Sequence, residues 1–226
     1  MQQGKFIVID GSDGSGKTTQ TNLLIERLKA EGHEVAHYDF PQYGKTIFAD
    51  MVGHYLNGEF GEVDDVSPYL GSLMYAGDRF MASKNIKTDL EDGKIVIANR
   101  YIQSNMGHQT AKIANPAEKK KFLDWLFKLE YETYNIPKAD LVIYLRVPFA
   151  IAQTLVDKKD ARSYTDKQRD IHEGNGEYLE RVDKTYLELS KDFPEWVMIN
   201  CTTNGAIESP EEINGKVWEE VLTIIK

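Results

Sequence analysis

Gly11-Ser12-Asp13-Gly14-Ser15-Gly16-Lys17-Thr18 lies between a short apolar run, residues 6–9, and a stretch with helical spacing, residues 19–30. The octapeptide satisfies G-x-x-x-x-G-K-[ST] at every fixed position, and a strand before it and a helix after it are the context the motif needs. Glycines let the backbone curl so that successive N–H groups point inward. The helix N-terminus adds the positive end of its dipole, so the turn is built to hold an anion. Gly11, Ser12, Gly14, Ser15, Gly16, Thr18 and Thr19 are expected to cradle the phosphates of a nucleoside triphosphate. Lys17 is expected to reach its β- and γ-phosphates, and the Thr18 hydroxyl to ligate Mg²⁺.

Outward from this turn, apolar runs alternate with helical patterns, the signature of a parallel sheet covered by helices. Leu23, Leu24 and Leu28 share one helix face, and Gly32 is placed to stop that helix. Residues 34–40 read as a second strand ended by Pro41. Ser67-Pro68 opens a long helix, with the serine hydroxyl as N-cap and proline in the first turn, and Gly93 closes it. Residues 94–98 form a third strand, 122–134 an aromatic-rich helix and 141–147 a fourth strand. Pro148 starts a helix that runs into a charged stretch, 157–173; residues 178–189 are helical again, 197–199 make a fifth strand and 211–225 a closing helix. The expected architecture is α/β, a five-stranded parallel sheet flanked by helices in one domain over 1–226.

Composition narrows the functional classes. Twenty-seven basic residues against 36 acidic ones leave a formal charge of −9 over 226 residues, a surface that repels nucleic-acid backbones and anionic membranes. An anionic ligand must therefore be held by a local cluster of donors. No apolar run approaches the ~20 residues that span a bilayer, and the first residues lack the anatomy of a signal peptide. Cys201 is the single cysteine, so an internal disulfide is excluded. Together these features point to a cytoplasmic protein.

The phosphate-binding turn alone does not identify the acceptor. Guanine recognition by an N-K-x-D element has no counterpart in the chain, which argues against a GTPase. A motor-type ATPase carries an apolar strand ending in a carboxylate for the metal. Here the third strand runs into Asn99-Arg100, and the fourth continues to Arg146 without one. Basic and amide residues there suit a second anion, which makes a small phosphate-bearing acceptor attractive.

Four further segments resemble the thymidylate kinase family of nucleoside monophosphate kinases, over most of the chain. Asp13 matches an acidic residue of that family's phosphate-binding turn, where it lies near the acceptor's 3′-hydroxyl and phosphate. Phe40-Pro41 matches an F-P dipeptide after the second strand; the family's arginine two residues on is replaced by Tyr43. Tyr75 and Arg79, spaced i, i+4, match the aromatic and arginine that hold thymine by stacking and by donation to a carbonyl oxygen. Asn99-Arg100-Tyr101-Ile102-Gln103-Ser104-Asn105 resembles D-R-[YH]-x-x-S-x, with Asn99 in place of the usual Asp. The resemblance implies that Arg100 clamps the acceptor phosphate and that Ser104 and Asn105 face the pyrimidine edge. It also puts His108 where an aromatic excludes a 2′-hydroxyl.

The same resemblance makes 157–173 a lid over the triphosphate. Position 14 is glycine, so the transition-state arginine is expected from the lid, from Arg162 or Arg169, which the sequence does not rank. The implied enzyme has a P-loop nucleoside triphosphate hydrolase-like fold of three layers and transfers the γ-phosphoryl group of ATP to dTMP with Mg²⁺. Lys17, Asp13, Arg100 and a lid arginine are its expected catalytic groups. The implied partners are ATP and dTMP, with neither nucleic acid nor membrane. The helix after Ser67 and the helix of 122–134 would form a homodimer face, or serve as core. A deoxynucleoside kinase, or a monophosphate kinase reading another base, is the alternative; the first needs a carboxylate base, and Asp39 is the available candidate.

Overall fold

The computed structural model describes residues 4–156 and 170–225. Five parallel strands form one sheet in the order β2-β3-β1-β4-β5. They are β1 (Lys5–Asp10), β2 (Val35–Asp39), β3 (Ile95–Asn99), β4 (Leu141–Arg146) and β5 (Trp196–Asn200). Among the described residues the α-helices are α1 (Lys17–Ala30), α2 (Ile47–Leu56), α3 (Pro68–Glu91), α4 (Ile102–Thr110), α5 (Pro116–Phe127), α6 (Phe149–Val156), α7 (Gly176–Asp192) and α8 (Pro210–Ile225), and a π-helical stretch, Lys128–Thr133, follows α5. Each expected strand is present within a residue or two. The expected three layers are present as well.

Successive side chains of a strand face opposite sides of the sheet, and the two cores divide accordingly. Phe6, Val8, Val96, Ala98, Val142 and Tyr144 pack against α3, α4, α5 and α7. Ile7, Ile9, Ile97, Ile143 and Leu145 pack against α1, α6 and α8. Such strands are buried on both faces, which is why they read as continuous apolar runs. Gly32 stops α1 as expected: at φ +88 it takes the left-handed position, and the Gly32 and His33 amides donate to Lys29 and Leu28 carbonyls.

Three local features depart from the expectation. The Ser67 hydroxyl makes no capping bond; Pro68 at the first helical position sets the start of α3, and the Ser67 carbonyl accepts the Gly71 amide at 2.9 Å. Proline has no N–H to cap, which removes part of the need. Helices α2 and α4 were absent from the pattern. The nine residues of α4 are nearly all polar or small, yet eight are buried, because the helix is wedged under the site with Gly107 against the Tyr186 ring. A two-stranded hairpin, β6 (Thr202–Thr203) and β7 (Ala206–Ile207), turns at Asn204-Gly205, both at positive φ.

Candidate functional site

The turn after β1 curls as its glycines allow. Gly14 sits at φ +83, and a Cβ there would come within 2.4 Å of the Ala152 carbonyl oxygen; at Gly11 it would meet the Leu145 carbonyl at 2.6 Å. No other residue fits either place without moving backbone. Lys17, 7% exposed, donates from Nζ to the Gly11 and Ser12 carbonyls at 3.1 and 2.8 Å and lies 4.0 Å from Asp13 Oδ1. Thr18 and Thr19 are exposed at the start of α1.

Beside the turn, at the C-terminal ends of β2 and β3, lies a cavity of about 300 Å³. Ligands of open α/β sheets sit at that end of the strands. All eight residues expected around an acceptor, Asp13, Phe40, Tyr75, Arg79, Arg100, Ser104, Asn105 and His108, line it. The sequence-expected residues are thus brought together although they span 96 positions of chain.

At the end nearest the turn, Arg100 stands at φ +68, a strained conformation for a residue with a side chain. Its Nη1 donates to the Gly11 carbonyl and to Ser104 Oγ, both at 3.3 Å, and its Nη2 donates to Asp13 Oδ1. Burial works to lower its pKa, but the carboxylates of Asp13 and Asp10 outweigh that and hold it above the ordinary range, so it stays cationic. Ser104, a residue expected on a pyrimidine edge, lines the cavity. Its hydroxyl donates to both Asp10 oxygens, at 3.0 and 2.9 Å, which ties it to the Arg100 end of the cavity.

The far end is aromatic and nearly neutral. Tyr75 and Arg79 enter from α3, and Arg79, 1% exposed, forms an ion pair with the fully buried Glu130. Asn105 Nδ2 donates to the Ser72 carbonyl at 3.2 Å. The Tyr178 hydroxyl donates to the His108 carbonyl, which leaves its oxygen to accept from His108 Nδ1 at 3.1 Å. The His108 ring stacks on His172, centroids 5.6 Å apart. Burial, aided by Arg100, pushes the His108 pKa down to about 3, and His172 is lowered by burial and by His108, so both rings are neutral at physiological pH.

Asp10 went unnoticed in the sequence, and residues 170–173 were expected only as part of a lid. Asp10 is fully buried and accepts from the Gly11 amide at 2.7 Å, from Ser104, and from the Tyr186 hydroxyl at 2.9 Å. A carboxylate closing an apolar strand has to be paired, and that was the available signal. Asp170 turns the chain through bonds to the His172 and Glu173 amides, and the Ile171 amide donates to the Leu56 carbonyl at 3.1 Å. That brings His172 and Glu173 to the cavity wall. Arg162 and Arg169 lie outside the described residues, as does most of the expected lid.

The carboxylate that position 99 lacks stands one strand over. Asp39 is the register partner of Asn99, whose Nδ2 donates to Asp39 Oδ1 at 2.8 Å and reaches Thr18 Oγ1 at 3.4 Å. Burial would raise the Asp39 pKa, but bonds from His37 and Asn99 hold it below the usual carboxylate range. A hydroxyl and an ionised carboxylate flanking one amide make a hard, oxygen-rich donor set that suits Mg²⁺ shared with phosphates.

Comparison with known proteins gives concordant results. A family model described as Thymidylate kinase matches residues 9–213. A thymidylate kinase of Mycobacterium tuberculosis is 31% identical over 187 residues, 82% of this chain and 85% of that one. A probable thymidylate kinase of Thermococcus onnurineus is 30% identical over 94% of each chain. The solved structure of a thymidylate kinase from Candida albicans superposes with a TM-score of 0.74 at 21% identity, covering 98% of this chain and 92% of that one. No helix among the described residues is long and apolar enough to cross a membrane.

Proposed function

The chain belongs to the thymidylate kinase family and transfers the γ-phosphoryl group of ATP to dTMP; from that premise we propose how its residues divide the work. The turn of Gly11, Ser12, Gly14, Ser15 and Gly16, with Thr19, holds the ATP phosphates on backbone amides, and Lys17 neutralises the transferring group. Arg100 holds the acceptor phosphate, and Asp13 fixes the guanidinium that does so. Tyr75 and Arg79 hold the base, Phe40 and Asn105 shape its pocket, and His108 closes the sugar side. Thr18 and Asp39 would hold Mg²⁺, which would supply positive charge to offset that of the phosphates. The acceptor phosphate is already anionic, so no strong general base is required. Catalysis is then mainly the alignment and screening of two polyanions.

The observation that carries this reading is the convergence of the eight acceptor residues on one cavity, with Asp13 belonging both to it and to the phosphate-binding turn. Purified protein with ATP and Mg²⁺, offered dTMP, dUMP, dCMP, AMP and thymidine, should convert dTMP fastest. Turnover of thymidine with dTMP inert would overturn the assignment of Arg100 to an acceptor phosphate.

A lid arginine, Arg162 or Arg169, completes the charge around the transferring group, and the cytoplasm, where both nucleotides are met, is the proposed setting. A homodimer is part of the same proposal. Leu70, Leu73, Phe80 and Met81 are 61, 36, 46 and 54% exposed along α3, and Ile47 and Met51 extend the patch on α2. Contiguous apolar surface of this kind marks an interface. In the helix of 122–134, Phe122 and Leu126 are fully buried core, while Tyr134 at its end packs on Phe80 of the patch, ring centroids 4.8 Å apart. Leu73→Glu with Met81→Glu should convert a dimer to monomer in sedimentation velocity; an unchanged mass would refute this face.

A further inference from the structure

Helix α5 presents Phe122 and Leu126 to the core, and the next residue along that row, Glu130, is also fully buried. Glu130 lies where the helix widens: Lys128–Thr133 is wound as a π-helix, a form that recurs at functional sites. Buried carboxylates need partners, and this one has a single dominant partner, Arg79. Arg79 Nε lies 3.1 and 3.0 Å from the two Glu130 oxygens, and Nη2 donates to Oε1. Nη1 donates to the Tyr101 carbonyl at 3.3 Å.

A guanidinium has five N–H donors in a rigid fork. Nε–H and one Nη2–H go to Glu130, and one Nη1–H goes to Tyr101, which leaves one hydrogen on each terminal nitrogen. We propose that Glu130 is a positioning and specificity-determining residue for the acceptor base: it clamps one edge of Arg79, so that only the opposite edge is offered to the base. This rests on the reading of Arg79 as the base-holding arginine.

A fixed pair of donors suits a carbonyl oxygen, as in thymine and uracil, and meets a donor in the exocyclic amino group of cytosine.

The test is Glu130→Gln, which keeps shape and loses charge, with Glu130→Asp as a second variant that keeps charge and loses reach. Glu130→Gln should raise the KM for dTMP about tenfold or more, the scale on which supporting partners of binding groups act. Its kcat and its KM for ATP should stay near wild type, and the preference for dTMP over dCMP should narrow. Glu130→Asp should fall between, and it supplies the measurement if Glu130→Gln does not fold. Arg79→Ala is made in both backgrounds. If Arg79→Ala leaves the KM for dTMP unchanged, the base-holding reading fails. If Arg79→Ala raises it but Glu130→Gln and Glu130→Asp only lower Tm, Glu130 is structural and the proposal is overturned. Support is a raised KM in Glu130→Gln that adds nothing further once Arg79 is gone.

Discussion

Lys17→Ala is expected to lower kcat about a thousandfold while the protein remains folded and still binds ATP. Removal of one donor aimed at developing charge costs on the order of 10²–10³ in other enzymes, and here the lost group is a full cation in a chain of net charge −9. The Lys17 ammonium is already held by two carbonyls of its own turn, at 3.1 and 2.8 Å, so little has to be reorganised for it to act. Stability should change little, because both carbonyls keep another donor: Gly11 O accepts from Arg100 and Ser12 O from the Ser15 amide. Lys17→Arg should not rescue turnover, since a planar fork cannot occupy the space of a point charge between two backbone oxygens. Steady-state kcat, ATP binding by calorimetry and a melting curve test this together. A kcat within tenfold of wild type would remove Lys17 from the transfer step.

Arg100→Ala is expected to lower kcat/KM for dTMP about a thousandfold, roughly 4 kcal/mol of transition-state stabilisation, with KM for ATP nearly unchanged. The guanidinium is aimed by four groups, the Gly11 carbonyl, Ser104, Asp13 and Asp10, the last 3.8 Å away. A lysine has one ammonium where the site offers a forked arrangement, so Arg100→Lys should recover little. Stability separates from activity at this position. Because φ is +68, Arg100→Gly should retain more stability than Arg100→Ala, by about 1 kcal/mol, although both are equally inactive. If alanine and glycine variants melt together, the backbone there is not strained; if dTMP turnover survives in both, the acceptor phosphate is held elsewhere.

The fold was legible in the sequence wherever burial is two-sided or a turn needs glycine. Residues 6–9, 94–98 and 141–147 read as strands because both faces are covered, and Gly32 and Gly93 marked helix ends through positive φ. Helix α4 was hidden because periodicity reports a boundary between apolar and polar surroundings, and α4 is buried among polar groups on several sides. The Asn204-Gly205 turn was legible but is flanked by strands of two residues, too short to show alternation. Candidate site residues were found where a short motif carries them. Glu130 and Asp10 were not, because each acts on a residue 51 or 94 positions away, and such pairs emerge only once the chain is folded. Asp39 was named only as a carboxylate base, and its pairing with Asn99, 60 positions away, emerged in the same way. The Ser67 hydroxyl shows the converse, a local signal that tertiary context left unused.

The exchange of acid and amide between β2 and β3 bears on how this chain tolerates change. With Asp39 and Asn99 in register and bonded at 2.8 Å, the two positions behave as a single unit carrying one negative charge. An acid at both would crowd two anions together, and an amide at both would leave the Thr18 hydroxyl without an ionised neighbour. A lineage can therefore move its acid from one strand to the next only by passing through one of two handicapped intermediates, so the arrangement, once reached, is held in place by history as much as by chemistry.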